Sequence, residues 1–261
     1  MKIFHRMHTL GVPVLAIALT TLIPACQKPT AERIVARTAD AMVGAGRIED
    51  LRTLRVRMIY ADHAYPVITE LSRPNHMRTE GVGHYVLVFD GVRGGFLERP
   101  PAEDGSPQGP ELIDSKYLRD LELDMAFLFP AFFDHPPEYL GREMAEGVDT
   151  HKLSVTLPLG IRTTYFVDAE TYLPVKVLAD VTVEGTEYHP GRIFSDYVDQ
   201  GGLMYPRTVT YWWTGDDVET AVVELVETNV PLGEDRFSIP AGVRSREWEG
   251  GTTESREGGK D

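Results

Sequence analysis

Hydrophobic and polar residues alternate along much of this chain, and the alternation predicts a protein built mainly of β-strands. In one run, Leu54, Val56 and Met58 are separated by Arg55 and Arg57. Successive side chains of a strand point to opposite faces, so this pattern is typical of a strand with one buried face. Comparable runs predict further strands at residues 67–72, 77–81, 85–90, 93–98, 138–145, 151–157, 163–168, 175–183, 188–199, 203–213 and 220–228. About twelve strands favour a curled sheet or a barrel over a flat open sheet.

Two segments follow the helical period instead. Apolar residues recur every three or four positions in residues 30–46, which predicts one amphipathic helix that stops near Gly44. Residues 115–133 repeat this spacing and end before Pro136, so a second helix is expected there. The loop 99–110, rich in proline, separates the first block of strands from this second helix.

The composition is that of an ordinary folded domain with a strong negative charge. Hydrophobic residues make up 42% of the chain, and the formal net charge is -14. Binding to polyanions needs clusters of lysine and arginine, and the sequence shows none. We therefore expect neither a nucleic-acid partner nor a surface that adheres to anionic lipid headgroups. The acidity is interpreted as a source of solubility.

The start of the chain combines basic residues, an apolar run and the only cysteine. Lys2 and Arg6 precede an apolar stretch that is too short for a membrane-spanning helix, which predicts a signal peptide over residues 1–25. Residues 23–26 resemble the lipobox of bacterial lipoproteins, in which the cysteine is lipidated and becomes the new N-terminus. A buried thiol is the alternative for Cys26, but it is not expected at the end of an export signal.

Lipidation of Cys26 implies a membrane anchor, because two or more acyl chains, such as palmitate, hold a protein stably on a bilayer. Gln27 follows the cysteine. By analogy with bacteria that sort lipoproteins by this neighbour, the absence of aspartate implies the outer membrane, facing the periplasm. We divide the rest into a tether over residues 26–29, one domain over residues 30–243 and a charged, disordered tail over residues 244–261.

Several segments of the body share a pattern of a turn leading into a strand. They are residues 72–78, 85–91, 147–153, 165–175, 205–207 and 229–240. Together with the opening amphipathic helix, they make residues 30–241 resemble the LolA/LolB-like superfamily of lipoprotein-sorting carriers. None of the segments is a catalytic signature, so the match is more specific for fold than for activity.

The resemblance implies a mainly β (α+β) fold. Its core is a strongly curved antiparallel sheet of about eleven strands in an unclosed barrel, with an N-terminal helix and a helical lid over the concave face. It also implies an apolar cavity that binds acyl chains of lipids or lipoproteins. The residues expected in the cavity or its lid are Phe127, Phe129, Phe132, Phe133, Trp212 and Trp213. Simple core filling is the alternative for each of them.

Motifs for catalysis or for cofactors do not occur in the sequence. There is no Gly-x-Ser-x-Gly elbow, no phosphate loop and no His-Glu-x-x-His, and a single cysteine excludes a paired-cysteine zinc site. The histidines are scattered, and the acidic positions Asp120, Glu122 and Asp124 are interpreted as the solvated face of a helix. We expect no enzymatic activity, no metal and no cofactor.

Three functional classes stay open from the sequence. We favour a carrier or acceptor that binds acylated lipids or lipoproteins and acts as a monomer. The second class is a periplasmic sensor or regulatory module of the envelope-stress type, since related folds also serve in that role. The third is an enzyme whose site is assembled only in three dimensions.

Overall fold

One β-sheet runs through almost the whole chain. The computed structural model describes residues 29–44, 46–61, 65–91, 94–102, 105–106, 109–114, 117–183, 185–215, 217–241 and 243–245. The predicted signal peptide, Cys26 and residues 246–261 of the predicted tail lie outside this range. The strands are β1 (Thr53–Tyr60), β2 (Pro66–Ser72), β3 (His76–Gly81), β4 (Tyr85–Phe89), β5 (Gly95–Glu98), β6 (Glu111–Leu112), β7 (Glu138–Ala145), β8 (Val148–Thr156), β9 (Arg162–Asp168), β10 (Pro174–Val183), β11 (Thr186–Tyr188), β12 (Gly191–Asp199), β13 (Met204–Trp212), β14 (Val218–Thr228) and β15 (Arg244–Ser245).

The strands are joined in a continuous, unclosed ribbon. Their spatial order is β15-β6-β5-β4-β3-β2-β1-β14-β13-β12-β10-β9-β8-β7, and β11 pairs with β10. Every described pair is antiparallel except β15 with β6. The ribbon therefore ends at β7 on one side and at β15 on the other, and the long pairing of β1 with β14 joins its two halves. This architecture confirms the predicted curved sheet, although it has more strands than the predicted eleven or twelve.

The additional strands are the short ones. β6 and β15 have two residues each, and β11 has three. An alternation of apolar and polar residues needs about four positions to be visible, so strands of this length leave no pattern in the sequence.

Helix α1 spans Ala31–Val43, as the periodicity predicts. It begins at Thr30, whose hydroxyl accepts a hydrogen bond from the backbone N–H of Arg33, and ends at Gly44, which has a φ of 56°. Its buried face carries Ile34 and Met42, which pack in the two apolar clusters of the core. The apolar face of α1, its N-cap and its C-terminal glycine therefore all indicate the helix that the structure shows.

Helix α2 spans only Leu118–Leu128, within the longer segment predicted to be helical. The helix ends there because Pro130 follows, and a proline has no N–H for the helical hydrogen bond and disfavours helical backbone in the residue before it. A single 3-10 turn, Ala131–Phe133, completes the segment. The prediction of one continuous helix over residues 115–133 was wrong at this proline.

Helix α2 lies inside the concavity of the sheet. Leu118, Leu121 and Met125 belong to the apolar cluster formed with β1, β13 and β14. Leu123 and Phe127 belong to the other cluster, which is formed with β8, β9 and β10. Because α2 is buried on more than one side, it fills much of the concavity in addition to covering it.

Candidate functional site

A cavity of about 140 Å³ remains between α2 and the concave face of the sheet. Most of its lining residues are apolar or aromatic, but the hydroxyls of its tyrosines and threonines, together with Asp124 and Arg192, give it a substantial polar surface. The lining residues are Met58, Tyr60, Val67, Thr69, Met77, Thr79, Tyr85, Leu87, Asp124, Phe127, Leu128, Arg192, Phe194, Tyr205, Val209, Tyr211 and Ala221. We refer to this space as the central cavity.

Arg192 on β12 is the one described cation among the residues that line the central cavity. Its guanidinium carbon lies 4.5 Å from the ring centre of Phe127 and 4.7 Å from that of Tyr211, so two aromatic faces hold it. A guanidinium nitrogen lies 3.6 Å from Oδ1 of Asp124. Burial lowers the pKa of Arg192, and Asp124 opposes this effect. The side chain stays charged because the ordinary pKa of arginine is above 12.

Asp124 on α2 faces the cavity, and 43% of its side-chain surface is accessible. Asp124 is one of the residues that line the central cavity. Burial raises the pKa of Asp124 to about 6, although Arg192 acts in the opposite direction. The cavity therefore has a polar end made of one cation and one weak acid.

Tyrosine hydroxyls complete this polar end. Burial, followed by the charge of Asp124, raises the pKa of Tyr60 to about 12, and burial also raises the pKa of Tyr85. Both hydroxyls therefore stay protonated at neutral pH and can donate hydrogen bonds. Tyr211 donates its hydroxyl proton to Glu219.

The structure places the predicted lid phenylalanines in different surroundings. Phe127 lines the central cavity. Phe129 lines a smaller cavity of about 30 Å³, where its ring lies 4.9 Å from the guanidinium carbon of Arg73. Phe132 is buried and packs edge-on against Tyr165, with ring centres 5.0 Å apart, and Phe133 packs against Phe132 at 4.7 Å.

The two predicted tryptophans lie away from the central cavity wall. Tyr211 faces the cavity, so its neighbour Trp212 lies on the convex face. There the indole N–H of Trp212 donates to the carbonyl of His189 at 2.9 Å. Its ring covers Gly191, where a Cβ atom would lie 2.5 Å from the ring. Trp213 follows the end of β13 and is 37% exposed.

Residues at the polar end of the cavity were missed by sequence reasoning. The sequence was interpreted as placing Asp124 and Glu122 on a solvated helix face. For Glu122 this was wrong, and for Asp124 it did not reveal the pairing with Arg192. Glu122 is only 4% exposed, and its Oε2 atom accepts a hydrogen bond from the backbone N–H of Leu159 at 2.9 Å. The available signal was that α2 has apolar residues on more than one side, which leaves its acids no fully solvated face.

Among the described residues, no group of three or more histidine, cysteine, aspartate or glutamate side chains is arranged to hold a metal ion. The described helices are also all too short or too polar to cross a membrane.

Comparisons with known proteins identify the fold. No protein-family model matches the chain, and a search of curated proteins finds no match. A solved DUF1329 family protein from Desulfovibrio piger superposes with a TM-score of 0.50 at 10% identity, over 80% of this chain and 95% of that chain. At this identity the likeness establishes the fold alone.

Two further solved structures are similar. A LolA superfamily protein from Nitrosomonas europaea has a TM-score of 0.49 at 14% identity, over 81% of this chain and 98% of its own. A domain provisionally assigned to outer membrane lipoprotein sorting, from Vibrio parahaemolyticus, has a TM-score of 0.47 at 13% identity, over 80% and 95%. The open antiparallel sheet with its two helices has the architecture that the sequence resemblance implies.

Proposed function

We propose that this protein is a lipid-anchored, non-enzymatic binding protein of the bacterial envelope that takes an acyl chain of a lipid or a lipoprotein into the central cavity. In this proposal Cys26 carries the anchor, and the domain faces the periplasm from the outer membrane. The lipid on Cys26 lies in the bilayer, so the cavity is available to a different acyl group.

The observation that carries the proposal is the amphipathic lining of the central cavity. Met58, Met77 and Phe194 give it an apolar wall, whereas Arg192 and Tyr60 form its polar end. An acyl chain has the same division, with a long apolar part and a few oxygen atoms at one end. Arg192 and the tyrosine hydroxyls are suited to donate hydrogen bonds to those ester or carboxylate oxygens.

Binding requires α2 to move. A cavity of about 140 Å³ is smaller than the roughly 300 to 1,000 Å³ typical of sites for drug-sized ligands. Helix α2 can be displaced at moderate cost, because it carries buried polar atoms that lack hydrogen-bond partners among the described residues. These atoms are Oε1 of Glu122, Oδ1 of Asp120 and Nε of Arg119. Water can reach such atoms when the helix moves outward, which offsets part of the lost apolar contact.

The test is native mass spectrometry of a soluble variant that begins after Cys26 and is purified from the periplasm without detergent. We expect added masses that correspond to acyl chains. The variant Ala221→Leu adds a larger side chain to the cavity wall and should reduce the bound lipid several-fold. If the soluble chain without further substitutions folds but carries no acyl chain, even after incubation with fatty acid, the cavity does not bind lipid.

A matched control separates cavity filling from damage to the core. Ala179 is as deeply buried as Ala221, at 1% exposure each, but it packs in the β8–β10 cluster and does not line the central cavity. Ala179→Leu should therefore retain bound lipid while costing about 1 to 3 kcal/mol of stability through overpacking. Equal loss of lipid in both variants would contradict a site at Ala221.

A further inference from the structure

The polar end of the central cavity presents a donor and an acceptor side by side. The Nη2 atom of Arg192 lies 3.6 Å from Oδ1 of Asp124, which is beyond the usual hydrogen-bond range. Among the described residues, no group donates a hydrogen bond to Asp124, and the guanidinium of Arg192 donates only from Nη1 to the carbonyl of Gly191, at 3.0 Å. Both side chains keep accessible surface, 43% for Asp124 and 17% for Arg192. Each of them can therefore bond to a ligand.

Carboxylates outnumber cations among the described groups that act on this pair. The charge of Glu219 acts on Arg192, and the charge of Asp120 acts on Asp124. Arg119 offsets Asp120, since its Nε atom lies 4.0 Å from Oδ1 of Asp120. Asp124 offsets Arg192 in the same way, and Glu219 remains as an additional negative charge. The polar end therefore carries no net positive charge, although Arg192 lines it.

This charge balance disfavours a free carboxylate as the polar group of the ligand. A carboxylate that accepts a hydrogen bond from Arg192 lies close to Asp124 as well, and like charges repel strongly where apolar walls exclude water. It also loses its own hydration. An ester carbonyl accepts the same hydrogen bond without adding a charge. Neutral acyl esters are therefore favoured over free fatty acids.

The Asp124 carboxylate adds a second requirement, because it needs a donor that a simple ester lacks. Asp124 and Arg192 are neighbours, so the donor and the carbonyl of the ligand have to face the same side. In a secondary amide, the N–H and the C=O of the planar group point in opposite directions. The hydroxyl of a glycerol ester sits on a rotatable carbon and can turn to the side that the carbonyl faces.

We propose that the central cavity selects a partially acylated glycerol, which is a neutral ester with a free hydroxyl, and that Asp124 is the residue that excludes free fatty acids. Arg192 donates to the ester carbonyl, and Asp124 accepts from the glycerol hydroxyl. The acyl chain contacts the apolar wall at Met58 and Met77. This inference rests on the proposed acyl binding in the central cavity and adds the class of ligand.

The experiment uses the full chain in phosphatidylcholine nanodiscs at pH 8.5, above the pKa of about 6 of Asp124. Three probes carry the same palmitoyl chain with a photoreactive diazirine: monopalmitoylglycerol, methyl palmitate and palmitic acid. After irradiation, mass spectrometry measures labelling of the peptides that contain Met77, Arg192 and Val209, which line the cavity. The probes stay below saturation. Each variant is compared with wild type using the same probe, so partitioning into the bilayer cancels.

Asp124→Asn keeps the shape of the side chain and removes its charge. Labelling by palmitic acid should rise about ten-fold, because the repulsion is lost. Labelling by monopalmitoylglycerol should fall about three-fold, because a hydrogen bond to an amide is weaker than one to a carboxylate. Methyl palmitate has neither a donor nor a charge, so its labelling should change less than about two-fold. An equal change for all three probes would show that Asp124 acts through packing alone, and the proposal would be wrong.

Asp180→Asn is the matched control. It removes the same charge from an exposed position on β10 that does not line the central cavity. Labelling by all three probes should stay at the wild-type level. If palmitic acid gains as much in Asp180→Asn as in Asp124→Asn, the effect is one of overall charge and the proposal is overturned.

The wild-type chain alone gives a second measurement, which does not depend on how a variant folds. Unlabelled monopalmitoylglycerol should displace its photoreactive probe about ten-fold more effectively than the same amount of palmitic acid in the bilayer. Equal displacement by both would reject the selection and leave acyl binding in place. If no probe labels the cavity peptides, acyl binding itself is contradicted, and the proposed function with it.

Discussion

At the scale of the residue, the central cavity is defined by a few ionisable groups that its apolar walls desolvate. Asp124 and Arg192 lie 3.6 Å apart at the polar end, and each shifts the pKa of the other toward the charged form. Burial shifts both pKa values the other way and dominates in both cases. The attraction between Asp124 and Arg192 thus offsets only part of the cost of burying them. A polar group of a ligand could offset more of that cost, as expected of a binding site.

Asp124 should give the protein a measurable pH dependence of stability. Its pKa is about 6 in the folded state, above the ordinary aspartate value of 3.8, so the folded state holds the proton more tightly. The contribution of this group to stability therefore falls as the pH rises from about 4 to about 6 and is constant above that. Because the side chain is partly exposed, we expect a change of no more than about 1 kcal/mol. Urea unfolding of wild type and Asp124→Asn across this range measures it.

The control for this prediction is Asp180→Asn, at an exposed position on β10. It should leave the fall in stability between pH 4 and 6 unchanged, whereas Asp124→Asn should remove it. The same fall in Asp124→Asn would assign the effect to other carboxylates.

At the scale of the element, α2 is held by buried hydrogen bonds at its C-terminal end. The hydroxyl of Tyr165 donates to the carbonyl of Ala126 at 2.8 Å and accepts from the backbone N–H of Ala131 at 3.0 Å. The hydroxyl of Tyr205 donates to the carbonyl of Leu128 at 2.7 Å. In the first turn, the guanidinium of Arg119 donates to the carbonyl of Thr182 on β10 at 2.9 Å, and this hydrogen bond is exposed to solvent. Because an exposed hydrogen bond competes with water, outward movement of α2 should begin at its N-terminal turn.

Hydrogen exchange and one substitution test this asymmetry. Amides in the first turn of α2 should exchange faster than those of residues 125–128. Tyr165→Phe should lower the free energy of unfolding by about 2 kcal/mol, because Ala126 and Ala131 each lose a buried partner. Tyr188→Phe, in the short strand β11, serves as the control and should change little. Uniform exchange along α2 would contradict opening from one end.

At the scale of the whole molecule, a buried glutamate joins the first strands to the 3-10 turn Glu234–Phe237. Glu70 on β2 is 2% exposed. It accepts hydrogen bonds from Arg55 on β1 at 2.9 and 3.0 Å, and from Arg236 near the C-terminus at 2.6 Å. Burial acts to raise the pKa of Glu70, but the hydrogen bonds from Arg236 and Arg55 outweigh it and lower the pKa.

Removing this charge should loosen the molecule. Glu70→Gln leaves Arg55 and Arg236 without their shared carboxylate, and we expect a loss of about 3 kcal/mol at pH 7. Because the folded state depresses the pKa of Glu70, its contribution is present above the ordinary carboxyl pKa and is lost as the pH falls through the folded value. Thermal unfolding at pH 7 and pH 3 measures both effects.

Glu227 provides the matched control for this prediction. It also accepts from Arg55, at 3.2 Å, but its side chain is 44% exposed. Glu227→Gln should cost less than about 1 kcal/mol. Equal losses in Glu70→Gln and Glu227→Gln would show that the burial of Glu70 does not matter.

Much of the fold could be predicted because its signals are local. The alternation of Leu54, Val56 and Met58 with arginines marks β1, and Thr30 and Gly44 mark the ends of α1. The break at Pro130 was also present in the sequence, but the run of phenylalanines around it has a helical spacing and obscured it. Most of the residues that line the central cavity could not be predicted, because their place in it depends on which side of the buried helix α2 each residue faces.

The sequence alone determined most of the longer helices and strands, the class of fold and the resemblance to LolA-like proteins, since periodicity and turn residues act over a few neighbouring positions. Only the tertiary structure decided that α2 fills the concavity and that Asp124 meets Arg192 there. It also brought Arg33 and Arg37 of α1 and Arg142 of β7 to the same surface recess, whereas the sequence shows no basic cluster. Arg142 lies more than a hundred residues from the other two, so the local concentration of charge arises from strand order and helix docking.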